Sequence, residues 1–159
     1  MAKVNYIIGD ATEPQINGNK IIVHVCNDIG GWGKGFVMAI SKRWKKPEQE
    51  YRFWYKSNVD FSLGQVQFIQ VENEIWVANL IGQHKINIDE NGKPPIRYEA
   101  ILLGLEKVSQ FAIENLASVH MPRIGCGLAG GTWDKIEPLI NKTLLESEIE
   151  TYVYDFEKT

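Results

Sequence analysis

The run Ile21-Ile22-Val23-His24-Val25-Cys26-Asn27 constrains the fold of this chain more than any other segment. It is almost continuously apolar over one strand's length, so as a β-strand it has to be central and covered on both faces. It leads directly into Gly30-Gly31-Trp32-Gly33-Lys34-Gly35, after which Phe36, Val37, Ala39, Ile40 and Trp44 recur at helical spacing. Val4 to Gly9 reads as an earlier strand, set apart by Glu13-Pro14 and the turn formers Asn17-Gly18-Asn19.

Downstream, Pro47 stops the first helix and suits the first turn of a second, which runs through Phe53 and Trp54. Gln65 to Val71 and Ile75 to Ile81 read as a hairpin across Glu72-Asn73-Glu74. Ile88 to Pro95 is polar and rich in breakers, an exposed loop able to move over a ligand. Tyr98, Ile101, Leu102, Leu105, Val108 and Phe111 form one face of a helix, and Val119-His120-Met121 a short strand. Thr132 is placed to cap a helix beginning near Trp133, with Ile136, Leu139, Ile140 and Leu144 on its buried stripe. Ile149 to Phe156 supplies the last strand. Strands alternating with helices, plus a hairpin, give an α/β layered fold with a mixed sheet. At 159 residues, 44% of them hydrophobic and 23% charged, the chain fits one domain over 1–159 with no extended disorder.

A net charge of -3 argues against general nucleic-acid binding, which needs a concentrated basic surface. The local run Lys42, Arg43, Lys45 and Lys46 falls at a helix end, where cations complement the dipole. Cys26 and Cys126 have no partner at CxxC spacing, and no residue cluster has metal-ligand spacing, so neither a metal nor a cofactor is expected. No segment has membrane-spanning length and Met1 to Asn5 has no signal-peptide character, so a cytoplasmic location without a membrane partner is the expectation.

In layered α/β sheets, ligands sit beyond the carboxyl ends of strands, where loops and helix N-termini converge. Gly30 to Gly35 follows one strand, and Gly125-Cys126-Gly127-Leu128-Ala129-Gly130-Gly131 follows another, so the two segments are expected to meet. Closely spaced glycines let backbone amides face an anion, and a helix N-terminus adds favourable partial charge. By itself the first segment is either such a cradle or a tight strand-to-helix turn. It has neither P-loop nor dinucleotide-binding spacing.

Three features together, Met121-Pro122-Arg123-Ile124-Gly125-Cys126-Gly127-Leu128 with Trp133, the Gly9-Asp10 pair, and His24 through Gly35, resemble the macrodomains. The nearest likeness is to the small subgroup of the terminal ADP-ribose protein glycohydrolase and the ADP-ribose-1''-phosphate phosphatase, over Tyr6 to Phe156. The resemblance implies a three-layer α/β/α fold with a mixed, mostly parallel central sheet. It implies ADP-ribose or a derivative as ligand, including ADP-ribose carried on a protein.

On that resemblance, Gly9 and Asp10 belong to the adenine end, with Asp10 accepting the adenine amino group; without that role it would be a turn or cap residue. Asn27, Gly33 and Gly35 belong to the first loop, near the distal ribose and diphosphate. Pro122, Gly125, Cys126, Gly127 and Leu128 belong to the second, whose amides hold the diphosphate. Tyr154 and Phe156 lie toward the adenine or are ordinary strand packing. Gln83 stands where the glycohydrolase has its lysine and Ala129 where it has its aspartate, so a lysyl mechanism is disfavoured. Lys85 and Asp134 are near in sequence but displaced. His24 aligns with a histidine of the phosphatase branch, which makes it the candidate for acid or base catalysis; the alternative is a hydrogen-bonded core histidine. His84 lies beside Gln83, within reach of the distal ribose, and His120 reads as structural. The activity implied is hydrolysis of ADP-ribose-1''-phosphate. A non-catalytic reader and a hydrolase of O-acetyl-ADP-ribose or ADP-ribosyl esters are the alternatives.

Overall fold

A computed structural model describes residues 3–156. The elements run β1 (Val4–Ile8), β2 (Lys20–Asn27), α1 (Phe36–Arg43), α2 (Lys46–Ser57), β3 (Val66–Glu72), β4 (Ile75–Gln83), α3 (Tyr98–Asn115), β5 (Ser118–Met121), α4 (Trp133–Ile140) and β6 (Thr151–Asp155). They form one six-stranded sheet in the order β1-β6-β5-β2-β4-β3, with every neighbouring pair parallel except the β3–β4 hairpin. This is the mixed, mostly parallel sheet expected.

β2 is central, and its side chains alternate between two cores. Ile21 and Val23 join Leu80, Ile101, Leu105, Val119, Ile136 and Ile140 under α3 and α4. Ile22 and Cys26 join Trp32, Val37, Ile40, Tyr51 and Val77 under α1 and α2. A strand that feeds a helical layer on each face has no polar side, which explains its near-continuous apolar run.

Pro47 sits in the first turn of α2, where its missing N–H costs nothing. Thr132 occupies the N-cap position of α4, but its side chain makes no capping bond. Its backbone N–H donates instead to the Tyr98 hydroxyl at 3.1 Å. The stripe expected from Ile136 to Leu144 does not stay α-helical. Pro138 lies inside α4, which ends at Ile140 in a π-helical turn over Asn141–Leu145, and Ile136, Ile140 and Leu144 are all fully buried.

β5 lies on one side of β2 and β4 on the other, so the strand order changes direction at β2. The carboxyl ends of the parallel strands β2, β4, β5 and β6 open on the same edge. That switch point is where a crevice forms in such sheets.

Candidate functional site

At this edge lies a cleft of about 1330 Å³. A bulge between Cys26 and Asn27 shifts the β2–β4 register so that Asn27 pairs with Gln83, and both residues line the cleft. Asn27 organises the first glycine loop. Its Oδ1 accepts from the N–H groups of Ile29 (3.0 Å) and Gly31 (2.9 Å) and from the Tyr51 hydroxyl (3.0 Å), while Nδ2 donates to the Gly31 carbonyl at 2.9 Å. Arg52 secures the same loop from α2, donating to the carbonyls of Gly30 and Trp32.

Gly35 is the N-cap of α1 at φ 84°, ψ -149°, a backbone conformation essentially reserved for glycine. α1 has no side-chain cap and no acidic residue in its first turn, so its exposed donors remain available to an anion. A Cβ on Gly35 would lie 3.4 Å from Leu128 Cδ1, so the two glycine loops do meet.

The second loop is held by its own turns: Cys126 N–H to Arg123 carbonyl, Gly130 N–H to Gly127 carbonyl, and Gly131 N–H to Gly125 carbonyl at 2.7 Å. Ile96 N–H donates to the Ala129 carbonyl, tying the loop to the segment before α3. Among the described residues, the amides of Gly33, Lys34, Gly125, Gly127 and Leu128 donate to no protein acceptor. Gly125 has φ +74°, and a Cβ there would stand 2.5 Å from Ile96 Cδ1. Gly125→Ala is therefore expected to cost about 1–2 kcal/mol from the left-handed backbone alone. Urea denaturation reads this directly; an unchanged midpoint would mean that the loop relaxes without cost.

Lys34, Arg52 and Arg123 line the cleft, and among the described residues no aspartate or glutamate does. Arg123 pairs with both oxygens of Asp155 (2.7 and 2.9 Å) and lies 5.1 Å from the ring centroids of both Tyr6 and Trp133. The cleft is thus an amide-lined crevice edged by Lys34 and by two ion-paired arginines, Arg52 with Glu48 and Arg123 with Asp155, and suited to an elongated anion.

Of the residues expected at the site, His24, Asn27, Gly33, Gly35, Gln83, Pro122, Gly125, Gly127, Leu128 and Phe156 border this cleft. Phe156 is 64% exposed and forms one end of it. Gly9, Asp10, Cys126 and Tyr154 are outside the lining. Gly9 N–H donates to the Asp155 carbonyl, which brings the Gly9-Asp10 corner beside the Phe156 end. Asp10 Oδ1 accepts from the Thr12 amide and hydroxyl, and Oδ2 pairs with Arg43 at 3.4 Å. Partial burial pulls the other way, but these donors hold its carboxyl below the usual carboxylate range. Cys126 packs against the α3–α4 core. Tyr154 turns its hydroxyl to His120 Nδ1 at 2.7 Å. Lys85 and Asp134 also lie outside the lining.

His24 borders the cleft but is 1% exposed, with ring centroids 5.3 Å from Trp32 and 6.0 Å from Phe36. Asn79 Nδ2 donates to the Pro47 carbonyl and to Gln67 Oε1, so Asn79 Oδ1 is the acceptor of the 2.5 Å bond from His24 Nε2. Burial pulls the basicity of His24 down to about 4, against the opposing effect of the Asn79 bond. Among the described residues its buried Nδ1 has no hydrogen-bond partner. The ring is therefore neutral at pH 7, with its single proton committed to Asn79.

Several cleft residues carry no sequence signal of their own. Arg52 arrives from α2, while Ile86, Asn87, Ile88 and Pro95 come from the β4–α3 loop. The polar loop expected between Ile88 and Pro95 meets the cleft only at those two end residues. Among the described residues, no cluster of three or more His, Cys, Asp or Glu could hold a metal ion, and no helix is long and apolar enough to cross a membrane.

No protein-family model matches the chain. It is 53% identical to a macrodomain protein from Streptomyces coelicolor whose solved structure covers 96% of this chain and 99% of that one, with a TM-score of 0.87. It is 33% identical to the mouse chromodomain-helicase-DNA-binding protein 1-like over 98% of this chain but only 18% of that protein, so it spans about a fifth of that relative's length. It is 25% identical to an ADP-ribose 1''-phosphate phosphatase of Meyerozyma guilliermondii, over 89% of this chain and 94% of that one.

Proposed function

Because this chain belongs to the macrodomain family, we propose that its cleft binds ADP-ribose and processes a derivative at the distal ribose, with ADP-ribose-1''-phosphate as substrate and phosphate as product. The observation that carries this reading is the meeting of two glycine loops, with free amides, three lining cations and, among the described residues, no lining carboxylate. That lining suits a diphosphate, which needs several short donors and no competing anion. The adenine then lies toward Phe156 and the Gly9-Asp10 corner, and the distal ribose toward Asn27 and Gln83. His24 contributes as a wall of the site. The phosphatase of Meyerozyma guilliermondii supports the choice of reaction.

A second reading is a non-catalytic reader of free or protein-linked ADP-ribose. It is favoured by the lack of a carboxylate among the described lining residues and by Gln83 and Ala129 at the positions where a lysyl mechanism needs a lysine and an aspartate. Calorimetry with ADP-ribose, followed by phosphate release from ADP-ribose-1''-phosphate, separates the two. Binding with turnover supports the phosphatase, binding without it the reader, and an absence of binding overturns both.

A further inference from the structure

A second cavity of about 490 Å³ adjoins the cleft, and the two share Ile86, Asn87, Ile88 and Pro95 as a common wall. It opens at the Gln83 end, which the proposed function assigns to the distal ribose. A group attached to that ribose leaves the cleft on this side.

His84 and Lys85 line this second cavity and do not line the first. His84 Nδ1 is 2.7 Å from Asp28 Oδ2, and the Lys85 N–H donates to Asp28 Oδ1 at 2.7 Å. A carboxylate only accepts, so His84 Nδ1 carries the proton of its bond. Both carboxylate oxygens of Asp28 are thereby engaged. Among the described residues His84 Nε2 has no partner, and the side chain is 44% exposed.

The backbone holds this pair in place. Asp28 and His84 each follow a cleft-lining residue, Asn27 and Gln83, which are register partners across β2 and β4. Asp28 N–H donates to the Gln83 carbonyl at 3.1 Å, and His84 N–H to the Pro95 carbonyl at 2.8 Å. A carboxylate that fixes the tautomer and orientation of an imidazole, leaving the second nitrogen free, is the arrangement by which a histidine serves as acid and base. In the cleft itself His24 is 1% exposed with Nε2 bound to Asn79, whereas His84 is open to solvent, and no carboxylate stands among the described lining residues.

Resting on the proposed function, we infer that His84, oriented by Asp28, is the catalytic acid–base residue for hydrolysis at the distal ribose. Water oxygen bonds to phosphorus while His84 Nε2 takes one of its protons. The bond between phosphorus and the ribose oxygen breaks, and the proton passes from His84 to that oxygen, giving ADP-ribose and inorganic phosphate.

The test measures kcat and KM for phosphate release from ADP-ribose-1''-phosphate, with ADP-ribose calorimetry alongside, in wild type, His84→Ala and Asp28→Asn. His84→Ala is expected to lower kcat on the order of 100-fold, and Asp28→Asn by a smaller factor, with ADP-ribose affinity changed less than about threefold in both. Added imidazole is expected to restore part of the His84→Ala rate, since the site is open to solvent; a merely structural histidine would show no such rescue. Unchanged turnover in His84→Ala overturns the assignment while leaving the phosphatase reading intact. Wild-type protein that binds ADP-ribose without releasing phosphate overturns both the assignment and the phosphatase reading. Absence of ADP-ribose binding in wild type overturns the reading of the cleft itself.

Discussion

Acidification from about pH 6.5 to about pH 4.5 is expected to cost the folded state roughly 5 kcal/mol, before most carboxylates are protonated. His24 and His120 are buried, and burial, the leading cause for each, lowers their basicity to about 4 and about 3; Lys20 adds to the effect at His120. In the unfolded chain both titrate near 6.5. Between those values the unfolded state binds protons that the native state refuses, so the stability these residues contribute is complete above pH 6.5 and is lost as pH falls toward their folded values. Each accounts for roughly 2–2.5 kcal/mol of that loss.

The structural reason is burial: a second proton would place an unsolvated positive charge on either ring. His24 spends its single proton on Asn79. His120 is wedged between Ser118 Oγ and the Tyr154 hydroxyl, each at 2.7 Å, and stacks on Tyr152. The carboxylate of Asp10, held below the ordinary aspartate range by Thr12 and Arg43, contributes in a lower window. Urea unfolding at a series of pH values should show the midpoint falling steadily below pH 6.5. A flat profile to about pH 4.5 would show that the histidines are solvated in the native state.

The second large effect is expected at Asn27. Replacing it with alanine leaves the N–H groups of Ile29 and Gly31 and the Gly31 carbonyl without the partners they have in the native loop. Each orphaned group in a site closed by Tyr51 and Arg52 costs about 1–3 kcal/mol. Tyr51 retains its 2.6 Å bond to the backbone carbonyl of residue 27, which limits the total. The sum is roughly 3 kcal/mol, a shift of about 6–12 °C in Tm for a chain of this size.

Binding should suffer as well, because the same side chain sets the path of the loop that carries Gly33 and Gly35. Under the proposed function, ADP-ribose affinity falls by at least about tenfold, a loss of roughly 1.4 kcal/mol. Thermal unfolding and calorimetry on Asn27→Ala measure the two effects separately. A variant that melts normally and binds normally would remove Asn27 from the organisation of the site.

What the sequence determined by itself was whatever depends on local pattern. An apolar run too long for a one-sided strand required two helical layers, and Ile21 to Asn27 feeds both cores. Pro47, the hairpin and the two glycine segments were legible because turn chemistry and periodicity are properties of neighbouring residues. Their meeting was legible too, since strand ends in a parallel sheet lie on one edge. The tertiary structure alone decided which side chains face the cleft and in what state. Nothing local distinguishes Arg52 from other helical arginines, or tells that Tyr154 bonds to His120 rather than facing the crevice. His24 looked equally suited to acid–base chemistry and to the core, because burial and partners are contributed by Trp32, Phe36 and Asn79, which the fold brings around it. Likewise, Asp28 and His84 are 56 residues apart and become a pair only when β2 and β4 lie side by side. Ionisation and hydrogen bonding depend on what surrounds an atom in three dimensions, and the packing of the sheet supplies those surroundings.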